Sequence, residues 1–406
     1  MTVQILKGDC RDVLRTLPRE SVHCVVTSPP YFGLRDYGTG KWEGGNPDCT
    51  HSVGGQVQDN KAPGAITTGQ RPGVDASRCR KCGASRIDSQ IGLEASPDAF
   101  VDEMVAVFRD VHRVLRADGT IWINLGDSYC SIGHKKSNSG YGSTGLAGGK
   151  AQVHSPLRRE NNASSIGCKH KDLIGVPWMV AFALRANGWY LRRDIIWHKL
   201  NPMPESVRDR PSTAHEYLFL LSKEQTYFYD ADAILEPVSL NTHARLSQDV
   251  ASQVGSARAN GGAKTNGNMK AVTRKSWKGS KFDGERDRQR HPDVGRNRAL
   301  PGDGSMDAAL AIMPEMRNKR SVWPLATEAF SEAHFATFPP ALIEPCILAG
   351  CPKGGTVLDP FGGAGTTGLV ADRLGRNAIL IELNPEYADM AERRIKNDAP
   401  LFADVI

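Results

Sequence analysis

Near the C-terminal end of the chain, Asp359-Pro360-Phe361-Gly362-Gly363-Ala364-Gly365-Thr366-Thr367 has the residues of a ligand cradle. Thr356-Val357-Leu358 before it reads as a strand, and Thr366 onward as the start of a helix. Glycine is needed where the backbone takes a left-handed φ or where a ligand must lie against the main chain. The next apolar run closes on Ile381-Glu382, so a carboxylate arrives about twenty residues after the turn, where it can accept both hydroxyls of a ribose. A dinucleotide site wants Gly-x-Gly-x-x-Gly, so that a pyrophosphate can sit on the helix N-terminus. Phe-Gly-Gly-Ala-Gly-Thr-Thr after Asp-Pro departs from that pattern.

A second group sits near the other end. The apolar run His23-Cys24-Val25-Val26 leads into Thr27-Ser28-Pro29-Pro30-Tyr31. Two prolines in succession cannot continue a central strand, so the sheet stops there, and the ends of strands are where α/β proteins build their sites. Taken alone, Ser-Pro-Pro-Tyr is also an ordinary turn. A third group, Cys49-Thr50-His51 with Cys79-Arg80-Lys81-Cys82-Gly83, offers four soft or borderline metal ligands. The tight Cys-x-His spacing counts against structural zinc. The low apolar content of the segment counts for it, because a metal would explain its order. Free thiols and a redox pair are the other two readings.

The glycine turn resembles the loop Asp-Pro-Phe-x-Gly-x-Gly-Thr-Thr of the amino DNA methyltransferases, whose cofactor, S-adenosylmethionine, carries a sulfonium and no phosphate. Ser28-Pro29-Pro30-Tyr31 resembles the same family's (Asp/Asn/Ser)-Pro-Pro-(Tyr/Phe) motif. The resemblance implies methyl transfer to the exocyclic amine of a DNA base. Such an amine is a poor nucleophile, because its lone pair is delocalised into the ring. Acceptors for both of its protons, the Ser28 side chain and a proline-turn carbonyl, would free that lone pair, and proline fixes the carbonyl's direction in advance. Tyr31 would stack on a base flipped out of the duplex. Within the family, Ser at the first position favours N4 of cytosine over N6 of adenine.

The order of the motifs, catalytic turn first and cofactor loop more than 300 residues later, resembles the β group of these enzymes. That group implies a seven-stranded, mostly parallel, Rossmann-like sheet with a target-recognition segment; the metal-knuckle insert is read from this chain's own cysteines and histidine and lies outside the resemblance. The cofactor contacts would come from Asp359, Phe361, Gly362, Gly363, Gly365, Thr366, Thr367 and Glu382. Thr337 or Phe338, in His334-Phe335-Ala336-Thr337-Phe338-Pro339, would touch the methionine part; the same segment also reads as a plain aromatic loop. Asn124-Leu125-Gly126-Asp127-Ser128-Tyr129 would line the base pocket. Trp197, His198 and Lys199 would contact flipped DNA, although Trp197 also reads as a core residue.

Periodicity supplies the supporting elements. Ser96-Pro97 opens a helix whose apolar residues run from Phe100 to Leu115 at 3-4 spacing, closed by Asp118-Gly119 before a strand over 120–125. A helix over 177–187 and strands over 190–199 and 216–222 follow. The C-terminal block alternates helix 340–349, strand 356–358, helix 366–374, strand 378–381 and helix 385–395. The organisation expected is a catalytic half over 1–235, with a metal-knuckle insert over 38–90 and a flexible loop over 131–171, then a recognition segment over 236–325 and a cofactor half over 326–406.

Charge singles out the recognition segment. Residues 241–300 hold 13 Lys and Arg against 5 Asp and Glu, a net of +8 in a chain whose total is +6. Basic charge gathered in one segment, including Arg274, Lys275 and Lys278, suits a polyanion such as double-stranded DNA. It suits a solvated basic loop equally well. No apolar run is long enough to span a bilayer, and no signal-peptide pattern opens the chain, so the expected compartment is the cytoplasm. Nine cysteines in such a chain read as reduced thiols rather than a disulfide framework. The expected assembly is a monomer or homodimer, with a cognate restriction endonuclease as a partner. The rival readings are a DNA-binding module without catalysis, an RNA or protein methyltransferase and, more distantly, a nicotinamide enzyme.

Overall fold

The computed structural model describes residues 1–33, 37, 39–51, 56–58, 66–68, 78–130, 167–239, 316–328, 337–398 and 404–405. Arg274, Lys275 and Lys278, the rest of the basic segment, His334 to Ala336 and most of the loop over 131–171 lie outside the described residues. Two compact units are present: Met1–Ala233 together with Arg320–Ile406, and Ile234–Lys319.

The first unit begins with strand β1 (Thr2–Lys7), helix α1 (Cys10–Thr16) and β2 (Val22–Thr27). The insert follows with four short strands, β3 (Lys41–Glu43), β4 (Gln56–Gln58), β5 (Ile66–Thr68) and β6 (Ser85–Ile87), paired β3 to β6 and β4 to β5. Helix α2 (Pro97–Val114), strand β7 (Leu115–Leu125), helix α3 (Val176–Ala186) and the antiparallel pair β8 (Tyr190–Lys199) and β9 (His215–Ser222) complete the N-terminal part. In the second unit, β10 (Glu236–Pro237) pairs with β11 (Met316–Arg317), and Arg317 bonds Glu236 across the pair at 2.9 Å. The chain returns to the first unit through β12 (Val322–Leu325), α4 (Pro340–Gly350), β13 (Thr356–Asp359), α5 (Thr366–Arg373), β14 (Asn377–Glu382), α6 (Pro385–Asp398) and β15 (Asp404–Val405).

These strands form one sheet in the order β12-β8-β9-β7-β2-β13-β14-β1-β15. Only β9 runs against its neighbours; the other pairings are parallel. The mostly parallel α/β architecture implied by the sequence is present, but among the described residues the sheet has nine strands rather than seven. The two extra strands lie at the edges and are too short to show a period. β12 also contains Pro324, which an edge strand tolerates because one side of its backbone needs no ladder partner.

Residues of α1, α2 and α3 pack with Val25, Ile121, Ile123, Leu125, Phe219 and Leu358 in one large core cluster, while α4, α5 and α6 pack on the sheet elsewhere. α2 starts as its sequence dictates, with the Ser96 hydroxyl accepting from Ala99 N at 3.2 Å and Pro97 in the first turn. It ends earlier than expected, at Val114. Leu115 turns extended, and Asp118-Gly119 falls in a bulge between the pairs Val22–Leu115 and Cys24–Thr120. Gly119 lies against the Leu115 side chain, where an added Cβ would sit 2.5 Å from it, so no larger residue fits the bulge without rearrangement.

Candidate active site

The central strands β2 and β13 are parallel neighbours, with Cys24 beside Val357 and Val25 beside Leu358. Their C-terminal ends therefore emerge side by side, which is where the Ser28 turn and the glycine turn begin. The two ends are bonded to each other. Asp359, 1% exposed, takes the Thr27 hydroxyl on one carboxylate oxygen at 2.6 Å and the Thr367 hydroxyl on the other at 2.7 Å. Phe361 N donates to the first oxygen at 3.0 Å. Burial pushes the Asp359 carboxyl up to about 7, against the pull of the two hydroxyls and the Phe361 amide. Asp359 thus spends its acceptors inside the protein and shapes the turn, rather than reaching out to a ligand.

The turn itself is closed by Gly362 N bonding Ile381 O at 2.8 Å and Gly365 N bonding Gly362 O at 2.9 Å. Gly365 precedes α5 at φ 76°, and a Cβ there would sit 2.7 Å from that of Ala391, so glycine is required twice over. At Gly363 (φ 51°) the space beside the main chain is open. Glu382 ends β14 next to it, accepting from Gly363 N at 2.7 Å and Asn384 N at 2.8 Å. Burial raises the Glu382 carboxyl, with those two amides opposing. Each of its oxygens keeps a lone pair, so the residue set fits a ribose. Thr366 and Thr367 are buried at the start of α5, and Thr337 and Phe338 are half-buried ahead of α4.

On the other side of the Thr27–Asp359 bond lies a polar cluster. The Tyr31 hydroxyl donates to Glu216 Oε2 at 2.6 Å and lies 3.2 Å from Asn124 Oδ1. The Ser28 hydroxyl lies 3.5 Å from the same amide oxygen. Asn124 Nδ2 donates to Glu216 Oε2 at 3.1 Å and to Tyr217 O at 3.2 Å, and Lys199 pairs with Glu216 Oε1 at 2.5 Å. Burial, then the Glu216 carboxylate, pushes the Tyr31 phenol well above its ordinary value, so it is a neutral donor.

The segment Asn124-Leu125-Gly126-Asp127 at the end of β7 gives each polar or small residue a task. Asn124 meets the two hydroxyls. Gly126 makes room for the Tyr31 ring, which a Cβ would approach to 2.5 Å. Asp127 accepts from Gly175 N and Val176 N at 3.0 and 3.2 Å, satisfying donors at the start of α3 that otherwise lack partners.

Of the residues expected at the DNA, His198 is exposed and Lys199 half-buried in its pair with Glu216. Trp197 is a core residue instead: it is 3% exposed and its indole N–H donates to Leu325 O at 3.1 Å, because alternation along β8 turns it inward. Glu216 escaped the sequence reading. Its signal is faint, a single carboxylate near the start of an otherwise apolar strand.

In the insert, Cys49, His51, Cys79 and Cys82 bring one ligand atom each to within 4.8 Å of one another. Cys49 Sγ lies 3.9 Å from Cys79 Sγ, and Cys82 Sγ 3.3 Å from His51 Nδ1. A tetrahedron with zinc–sulfur bonds of about 2.3 Å and zinc–nitrogen bonds of about 2.0 Å has edges of roughly 3.8 and 3.5 Å, so the donor set fits that ion. Gly45 stands against the cluster, where a Cβ would meet Cys82 Sγ at 2.7 Å.

Comparison with known proteins agrees with this geometry. The chain is 36% identical to the type II methyltransferase M.SmaI of Serratia marcescens, over 97% of this chain and 90% of that protein. It is 35% identical to M.Cfr9I of Citrobacter freundii, over 97% and 88% of the two chains. It is also 35% identical to M.XycI of Xanthomonas campestris pv. cyanopsidis, over 97% and 87%. The profile of the N6_N4_Mtase family, described as DNA methylase, matches residues 22–393. With a strand-end Ser-Pro-Pro-Tyr turn bonded to a glycine turn and its acid, the chain belongs to that family and is an S-adenosylmethionine-dependent DNA methyltransferase.

Proposed function

We propose that the enzyme methylates N4 of cytosine, with Ser28 and the carbonyl of Pro29 taking the two protons of the exocyclic amine. The observation that carries this reading is the Thr27–Asp359 bond, which fixes the amine-binding turn beside the cofactor turn. Ser28, rather than an acid, at the head of the motif favours cytosine over adenine. The open backbone at Gly363, with Phe361, Gly362 and Gly365 around it and Glu382 on the ribose, would hold S-adenosylmethionine. Its sulfonium supplies an electrophilic methyl. Phe338 and Thr337 would close over the methionine part.

The target amine is out of reach inside a duplex, so the base must flip into the pocket. Tyr31 offers the face for it, already oriented by Glu216 and by the room left at Gly126. Every hydrogen-bonded group around the amine is in place before the base arrives, so little reorganisation is spent at reaction. Residues 236–325, with Arg274, Lys275 and Lys278, serve target recognition on the duplex; His198 and Lys199 lie at the base pocket. Structural zinc held by Cys49, His51, Cys79 and Cys82 orders the insert. The relatives are named type II methyltransferases, which supports a restriction endonuclease of the same site as partner and a cytoplasmic place of action.

Expression in a methylation-free bacterial host, followed by nucleoside mass spectrometry of its DNA, tests the reading. N4-methylcytosine is the expected product. N6-methyladenine alone overturns the base assignment, and unmodified DNA overturns the activity.

A further inference from the structure

β8 runs in the same direction as β7 and β2, so the chain after Lys199 leaves the sheet at the edge where Asn124 and Ser28 stand. Lys199, the last residue of β8, pairs with the carboxylate that holds Tyr31, and Met203 follows four positions later. The connection from there to β9 has neither helix nor strand, yet it is braced. Glu205 accepts from Arg210 and from Thr213 N, both at 3.1 Å. The Arg210 guanidinium lies 3.6 Å over the Tyr129 ring. Asn201 donates to Thr327 O at 3.2 Å and accepts from Thr327 N at 2.7 Å. Pro202 has a fixed φ, and Pro204 holds the residue before it, Met203, extended.

The brace keeps apolar side chains out in solvent. Met203 is 82% exposed and Leu200 60%, the two highest values for large apolar side chains among the described residues. A single exposed apolar side chain is ordinary on a protein surface. These two share one loop of restricted backbone, at the sheet edge that carries the site of a DNA methyltransferase.

We infer that Met203 is a wedge, entering the DNA stack beside the target base and filling the space that base leaves as it turns out. This rests on the reading that the pocket at Ser28 and Tyr31 receives a flipped base. A thioether chain offers nothing to phosphate oxygens, but it suits base faces. It is unbranched enough to slide between flat rings, and its polarisable sulfur favours aromatic contact. Opening a base pair costs both pairing and stacking. An apolar side chain in the gap offsets part of that loss and keeps the neighbouring bases from closing again. The two prolines set the backbone beforehand, so little ordering is spent on insertion.

The test first maps the methylated site, by single-molecule sequencing of DNA from a methylation-free host expressing the full chain. Two duplexes carrying that site are then compared in single turnover. One has the target base normally paired; the other has an abasic position opposite it. An unpaired target needs less opening, so the second duplex separates a wedge from a loop that only grips DNA or supports the fold. Met203→Ala should lower the transfer rate at least about tenfold on the paired duplex and only about threefold or less on the abasic one. Met203→Leu keeps an apolar chain of similar volume and should restore most of the paired rate. The dissociation constant for S-adenosylmethionine should stay within about twofold of the parent in both variants, since neither turn of the cofactor site is touched.

Met203→Ala at the parental rate on the paired duplex overturns the wedge, and so does an equal loss on both duplexes. Ser28→Ala at the parental rate, or host DNA left unmethylated, overturns instead the reading of the pocket beneath it.

Discussion

The hydroxyl of Thr27 and the carboxylate of Asp359 meet at 2.6 Å although 332 positions separate them in the chain. Each residue is the last of its strand, and each opens one of the two turns that make the site. The bond is buried, so no water replaces it when it is lost. Thr27→Val keeps the side-chain shape and leaves Asp359 one partner short, which should cost about 1–3 kcal/mol of stability. Denaturant unfolding measures it; a variant as stable as the parent would show that the contact contributes nothing.

The same carboxyl makes stability depend on pH. Folding raises it from 3.8 to about 7, so between those values the folded chain holds a proton that the unfolded chain has released. Stability from this group is therefore greatest at the acid end and falls as pH rises through 7, by roughly 4 kcal/mol in all at the linkage of about 1.4 kcal/mol per unit. Asp359→Asn, which cannot titrate, should flatten the slope of unfolding free energy between about pH 4 and pH 7. Parallel slopes for the two proteins would refute the assignment.

Gly126→Ala should separate the two sites. The added methyl would sit 2.5 Å from the Tyr31 ring and push it off Glu216, while the glycine turn is untouched. We expect methyl transfer to fall at least about tenfold with cofactor affinity retained, consistent with the loss that small displacements of positioned groups cause. Calorimetric titration with S-adenosylmethionine beside a transfer assay distinguishes this from general unfolding.

Glu382→Ala should act in the opposite sense. It removes the proposed acceptor for the ribose and also the partner of the Gly363 and Asn384 amides. A rise in the S-adenosylmethionine dissociation constant of about tenfold or more is expected, read by the same titration. Unchanged affinity would place the ribose elsewhere.

For the insert, elemental analysis of the purified chain should return one zinc per molecule. Chelation, or Cys82→Ser, should lower the melting temperature, because a four-ligand cluster without its ion leaves a segment with few apolar residues to order itself. Zinc-free protein with an unaltered melt would favour plain thiols.

Both turns were legible in the sequence, because proline and glycine act on the backbone locally and need no partner to do so. The helices around them were legible for a similar reason: α2 announces itself by its cap and by apolar residues at 3-4 spacing. What depended on strand order was hidden. Glu216 faces Tyr31 only because β9 is inserted between β7 and β8, and nothing in His215–Ser222 states that neighbour. Trp197 was open to two readings for the same reason, since either face of β8 could have been the inner one. Asp359 looked like a ligand contact because its motif position is adjacent to one; its burial came from two threonines distant in sequence and near in space.

At the far margin of the sheet, Thr2 lies in register with Asp404 and Val3 with Val405. The backbone thus comes back to within one inter-strand spacing of its own start, on the flank away from β12 and the β8–β9 pair. β15 thereby covers the outer edge of β1 at Thr2 and Val3, where unpaired backbone would otherwise be open to pairing with another chain.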